Sequence, residues 1–152
     1  MNYPVAEIPV SSAQRSGPDG GTLVTVLSAA EGLRGRLEDA LVAVGLSISK
    51  FDAMEQLIRA DEPLTLGALA GKLHCVRSNV TQLVDRLEAD GLVQRGGCTE
   101  DRRAIRAKLT RLGLERHAAG VEAIRSVQND VAQRLDAGER ARLVELLSAL
   151  AD

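Results

Sequence analysis

Between Val76 and Arg95 the chain reads VRSNVTQLVDRLEADGLVQR, and EDRRAIRAKLT follows a few residues on. Across this stretch the apolar period changes, and that change limits the folds open to the chain. Val80, Leu83, Val84 and Leu87 stand at i, i+3, i+4 and i+7, the buried face of a helix. Gly91 follows where the stripe ends, and glycine readily takes the left-handed conformation that closes a helix. Beyond it the period drops to two. In Ala104–Thr110 the alternation predicts Ile105, Ala107 and Leu109 facing a core, with Arg106 and Lys108 facing water. Paired with a strand near Leu92–Arg95, this is a helix leading straight into a basic hairpin.

The preceding residues supply the partner helices. Leu23, Val26, Leu27, Ala30, Leu33, Leu37, Ala40, Leu41 and Val44 recur at three- and four-residue steps, predicting a long amphipathic helix from Thr22 that ends near Gly45. Ser47 is placed to cap a second helix carrying Phe51, Met54, Leu57 and Ile58. Asp61-Glu62-Pro63 breaks that helix, since proline cannot continue the ladder. Thr65 can cap a short third helix with Leu66, Leu69 and Leu73 inward. After the hairpin, Thr110 can cap a fifth helix bearing Leu114, Val121, Ile124, Val127 (or Gln128) and Val131. Asp136 and Glu139 have capping-box spacing ahead of a sixth, with Leu143, Leu146, Leu147 and Leu150.

Helix, short turn, helix, hairpin is the winged helix-turn-helix order. The expected fold is mainly α (α+β), a winged lobe at about 46–113 flanked by dimerisation helices at about 22–45 and 111–151. Residues 1–20, with Pro4, Pro9, Gly17, Pro18, Gly20 and Gly21, are expected to form a mobile arm ahead of one domain over 21–152. The terminal helices carry more apolar surface than a compact lobe can cover, which predicts burial against a second copy.

Composition narrows the function. Of 152 residues, 45% are apolar and 26% charged, a soluble globular balance. Tyr3 and Phe51 are the only aromatics, which argues against a base-stacking binder of single strands. No apolar run approaches the length of a membrane span and no secretory signal is apparent, so a cytoplasmic protein without a membrane partner is expected. The net charge of −2 is unevenly spread. From Lys72 to Arg111 nine Lys/Arg face five Asp/Glu, a balance of +4, leaving ten against sixteen elsewhere, or −6. A basic patch on an acidic body is an electrostatic footprint for a polyanion.

The buried stripe of the fourth helix leaves Arg77, Ser78, Asn79, Thr81, Gln82, Asp85 and Arg86 outward. Asn and Gln can pair bidentately with adenine in a major groove, and Arg with guanine. Arg77, Ser78, Asn79, Thr81, Gln82 and Arg86 are therefore the candidate readers of bases. The stretch LTLGALAGKLHCVRSNVTQLVDRLEADGLVQR with EDRRAIRAKLTRLG resembles the multiple antibiotic resistance regulator (MarR) family, over about Leu46–Gly113. The resemblance implies a dimeric transcriptional regulator, usually a repressor, on a pseudo-palindromic operator in double-stranded DNA. It implies that Arg103 enters the flanking minor groove and that Asp101 organises the wing. Arg95, Arg102, Arg106 and Lys108 would supply phosphate contacts. It also implies a small anionic or aromatic effector, for which Arg34, Arg36 and His117 are the candidates. The sequence departs from the family pattern at His74, where glycine is usual, at Val76, where serine usually caps the helix, and at the Gly96-Gly97-Cys98-Thr99 tip.

Other chemistry finds less footing. Two histidines and two cysteines lack metal-ligand or catalytic spacing, so no cofactor, metal or enzymatic activity is expected. Cys75 precedes the fourth helix at an apolar site and is expected to be a small buried hydrophobe. Cys98 at the wing tip raises an alternative, a thiol-based oxidant-sensing repressor. A further alternative is a protein-interaction module that uses a winged helix without touching DNA.

Overall fold

The computed structural model describes residues 20–97 and 105–150. In chain order these form α1 (Gly20–Val42), α2 (Ile48–Arg59), β1 (Leu64–Thr65), α3 (Leu66–Lys72), α4 (Arg77–Ala89), β2 (Val93–Gly97), β3 (Ile105–Leu109), α5 (Arg111–Ala132) and α6 (Ala137–Ala149). The expected mainly helical winged fold is present, with the helices in the expected order.

Caps fall where the hydroxyl and carboxylate side chains stand. Ser47, Thr65 and Thr110 accept from the backbone N–H groups of Lys50, Ala68 and Gly113, and Asp136 with Glu139 forms a reciprocal capping box. The helix ends share one device. After α1 and α4, Gly45 and Gly91 take positive φ, with Leu46 N–H donating to Leu41 O and Leu92 N–H to Leu87 O, both at 2.9 Å. His74 closes α3 the same way at φ +49°, with Cys75 N–H donating to Ala70 O. A side chain in this region is strained, so His74 ends the helix at a cost of about 1 kcal/mol or more.

The sheet has three strands rather than two. β1 pairs antiparallel with β3 (Leu64 opposite Ala107), and β3 pairs with β2 (Val93 opposite Leu109, Arg95 opposite Ala107), giving the order β1-β3-β2. The same Thr65 both ends β1 and caps α3. On β3, Ala107 is wholly buried, but Ile105 is exposed, a correction to the alternation reading. Ile105 lies opposite Gly97, two residues beyond Ala107 along the hairpin, where no core covers it.

One hydrophobic cluster holds the lobe, with Met54, Leu69, Val80, Val84 and Leu87 fully enclosed and Leu41 of α1 reaching into it. Each such side chain contributes about 1.5–3 kcal/mol by leaving water. The inner face of α5 is unexpected: its buried residues are Gly113, His117 and Gly120, not the leucine and valines of the apolar stripe, and Leu114 is exposed. The glycines let the helix backbone close on the lobe. A Cβ on Gly120 would stand 2.8 Å from the Phe51 ring, and one on Gly113 would overlap the Leu92 carbonyl.

Candidate nucleic-acid interface

The turn Leu73–Val76 sets α4 across the lobe, and its stripe anchors it: Val80, Val84 and Leu87 are wholly buried, with Leu83 half-buried beside them. Arg77, Ser78, Asn79, Gln82 and Arg86 are consequently exposed along one face. Thr81 is half-buried and its hydroxyl donates to Arg77 O at 3.0 Å, so only its oxygen lone pairs remain for an outside donor. Val76 caps α4 without any side-chain bond, and neither Ser78 nor Asn79 replaces the missing oxygen. Its carbonyl accepts from Asn79 N–H at 3.0 Å, which starts the helix. Lys50 of α2 pins the far end by pairing with Asp90 at 2.6 Å.

The basic residues expected to meet phosphate divide. Arg95 on β2 is committed inside the chain: its guanidinium pairs with Asp85, lies 3.3 Å from Glu88, and donates to Thr81 O at 3.3 Å. Arg106, half-buried, donates to Pro63 O at 3.0 Å. Both are thus held by protein oxygens in the free chain, whereas a phosphate contact would compete with those bonds. Lys108 is exposed, beside a shallow cleft lined by Asp61, Glu62 and Pro63. Asp101, Arg102, Arg103 and Cys98 lie outside the described residues.

The candidate effector residues are not brought together. Arg34 is exposed and lines a cleft with Glu31, Glu38 and Ser47, whereas Arg36 pairs with Asp130 of α5 at 3.2 Å. Two residues apart on a helix, they point about 200° apart. His117 is 8% exposed, stacked on Phe51 with ring centroids 4.8 Å apart, and bonded through Nε2 to Glu55 at 2.8 Å. Partial burial raises the Glu55 carboxyl, but its hydrogen bonds with His117 and Arg59 prevail and hold it below the ordinary glutamate range. Burial pushes Asp52 the other way, upward, against the pull of Arg34 and with the push of Glu55. Cys75 is half-buried rather than enclosed, and lines a groove with Asp52, Asn79, Gln82 and Arg86.

Sequence reasoning missed the carboxylates. Thr81, Asp85 and Glu88 stand at i, i+4 and i+7 on α4, a stripe whose meaning appears only with Arg95 beside it. Among the described residues no group of three or more His, Cys, Asp or Glu could hold a metal ion, and no helix is long and apolar enough to cross a membrane.

Comparison with known proteins agrees with this geometry. Residues 46–105 match the family model described as MarR family. It is 31% identical over 83 residues to the HTH-type transcriptional regulator PrsX of Escherichia coli, covering 54% of this chain and 50% of that one. A Thauera aromatica protein named as a regulator of the hcr operon is 32% identical over 97 residues, 64% of this chain and 58% of its own. The matches thus span 50–58% of the length of these curated relatives. Among solved structures, YusO of Bacillus subtilis superposes with a TM-score of 0.72 at 19% identity, covering 86% of this chain and 92% of that one. Mutant E. coli MarR complexed with operator DNA gives 0.69 at 22%, covering 87% and 93%. An organohalide-sensing regulator in its 2,4-dichlorophenol-bound form gives 0.73 at 19%, covering 92% and 88%. At these identities the likeness is one of fold.

Proposed function

We propose that this chain is a homodimeric MarR-family regulator, a sequence-specific binder of double-stranded DNA that acts as a transcriptional repressor and is released by a small ligand. One observation carries the DNA reading: α4 buries Val80, Val84 and Leu87 completely while presenting Arg77, Ser78, Asn79, Gln82 and Arg86 on its open face. That face has the donors and acceptors a major groove requires, on a helix whose orientation the core fixes. Arg103, in the stretch between β2 and β3, is the residue we assign to the minor groove, on the family resemblance. The dimer is supported by apolar surface that this chain leaves bare on α1 and α6, including Leu23, Val24, Val144 and Leu147. Ligand release is supported by fold likeness to a regulator solved with 2,4-dichlorophenol. Arg34 is the exposed cation of the three effector candidates, with Arg36 and His117 engaged elsewhere.

The test is selection of duplexes from a random pool by the purified protein, followed by binding to the selected duplex across a salt series. Expected are a two-fold symmetric site and an affinity that falls with salt by about 0.9 log units per log unit for each phosphate contact. Binding indifferent to sequence and salt would end the repressor reading and leave the winged helix to protein partners. Within the selected site, Gln82→Ala should cost about 1–3 kcal/mol at one base pair per half-site, read as relaxed preference at that position. A uniform loss over all sequences would make Gln82 a backbone contact.

A further inference from the structure

Arg95 stands where a phosphate contact was expected, yet its surroundings suit another task. The guanidinium is about one-fifth exposed and meets α4 three times: at the Asp85 carboxylate, at Glu88 Oε2 (3.3 Å) and at the Thr81 carbonyl (3.3 Å). Its main chain adds a hydrogen bond, with Arg95 N–H donating to Glu88 Oε1 at 3.3 Å. β2 is an edge strand, so this outward N–H has no strand to receive it, and Glu88 fills the place. With two carboxylates around one guanidinium, the cluster carries a formal charge of −1. It repels phosphate rather than drawing it.

Electrostatics alone would forbid such a cluster on the nucleic-acid face. Asp85 lies on the exposed surface of α4, one residue before Arg86, and its charge weakens binding to any polyanion. Its value must lie in the geometry it holds. Thr81, Asp85 and Glu88 span two turns of α4, and Arg95 ties all three to the strand from which the hairpin extends. Opposite Arg95, the wholly buried Ala107 seats β3 on the core, so the strand pair is fixed from both sides.

We propose that Arg95, Asp85 and Glu88 form a positioning latch that sets the angle between the recognition helix and the β2–β3 hairpin, so that both meet the duplex together. The latch rests on the DNA-binding reading above, and none of its three residues needs to touch DNA.

The decisive experiment turns on sign. Removing a negative charge from a DNA-binding surface strengthens binding if charge is all that matters. A latch makes the same change weaken it. Asp85→Asn is compared with wild type for affinity to the duplex that wild type selects from a random pool, with thermal unfolding measured alongside. The expected result is binding about tenfold weaker, on the scale of one charge-assisted bond lost, with Asp85→Glu retaining most of the affinity. Glu88→Gln, which also removes a negative charge, should weaken binding in the same direction and decides the matter should Asp85→Asn fail to fold. Binding as tight as wild type, or tighter, in the folded variants overturns the latch and leaves the repressor reading intact. A wild-type protein that selects no duplex overturns both.

Discussion

The winged lobe and the terminal helices are built from similar residues and end in opposite states. In the lobe, Met54, Leu69, Val80, Val84 and Leu87 are sealed, and α2, α3, α4 and the sheet all contribute to one cluster. In α6 no residue is buried, and α1 gives the cluster only Leu41 while Leu23, Val24 and Leu27 stand in the open. The lobe is complete in one chain. The helices leave apolar side chains bare, the surface assigned above to a second copy. A sequence pattern thus says which residues leave water, but not which molecule receives them.

Four substitutions test that contrast. The largest effect is expected at Val144→Asp on α6, which leaves the lobe untouched but places an unpaired carboxylate in the proposed subunit contact, a cost of several kcal/mol per subunit. Sedimentation should report a single chain; an unchanged two-chain mass would break the comparison by showing that this face is not the seam. Next is Gly120→Ala, at the boundary between the two regions. The added methyl meets the Phe51 ring, a strain of about 1–3 kcal/mol set against roughly 1 kcal/mol of better helix propensity. The unfolding midpoint should fall, and a rise would mean that α5 and α2 can separate freely. Val76→Ser supplies the cap that α4 lacks and should stabilise the lobe by about 1 kcal/mol, without any change in subunit association.

The smallest effect concerns pH. Because the native Glu55 carboxyl is held below its ordinary range, its contribution is present at neutral pH and is lost as the pH falls through that lowered value. The stability difference between wild type and Glu55→Gln should therefore shrink in acid. Solvent screening keeps it modest, since Glu55 remains partly open to water. A difference that grows in acid would reverse the sign of the Glu55–His117 interaction.

Local rules were written plainly in the chain. The stripe Val80–Leu87, the caps Ser47, Thr65, Thr110 and Asp136, and the stops Gly45 and Gly91 each depend on residues within a turn or two of one another. What was illegible depends on distant partners. β1 is two residues long and exists only because β3 lies beside it, 43 positions away at Leu64 and Ala107. The inner face of α5 hid because glycine carries no hydrophobic signal, although its lack of a side chain is what permits the approach to Phe51 and Leu92. For the interface, the outward set on α4 followed from periodicity, whereas the protein partners of Arg95 and Arg106 did not, because formal charge does not reveal which oxygens a cation meets in the fold. The arm expected over 1–20 falls almost wholly outside the described residues, as does the wing tip with Asp101, Arg102 and Arg103.

Thr110 has a wider consequence. β3 ends at Leu109 and α5 begins at Arg111, so this one residue is the whole connection. It is braced on every side: its N–H donates to Leu92 O, its hydroxyl donates to Gly91 O at 2.7 Å, and the same oxygen accepts from Gly113 N–H. There is no slack in such a splice. The rotational phase of α5 is inherited from the strand before it, and one inserted residue would turn every side chain of that helix by about 100°. Hairpin and long helix therefore share a single mechanical reference, and wherever α5 is rolled, the hairpin is steered.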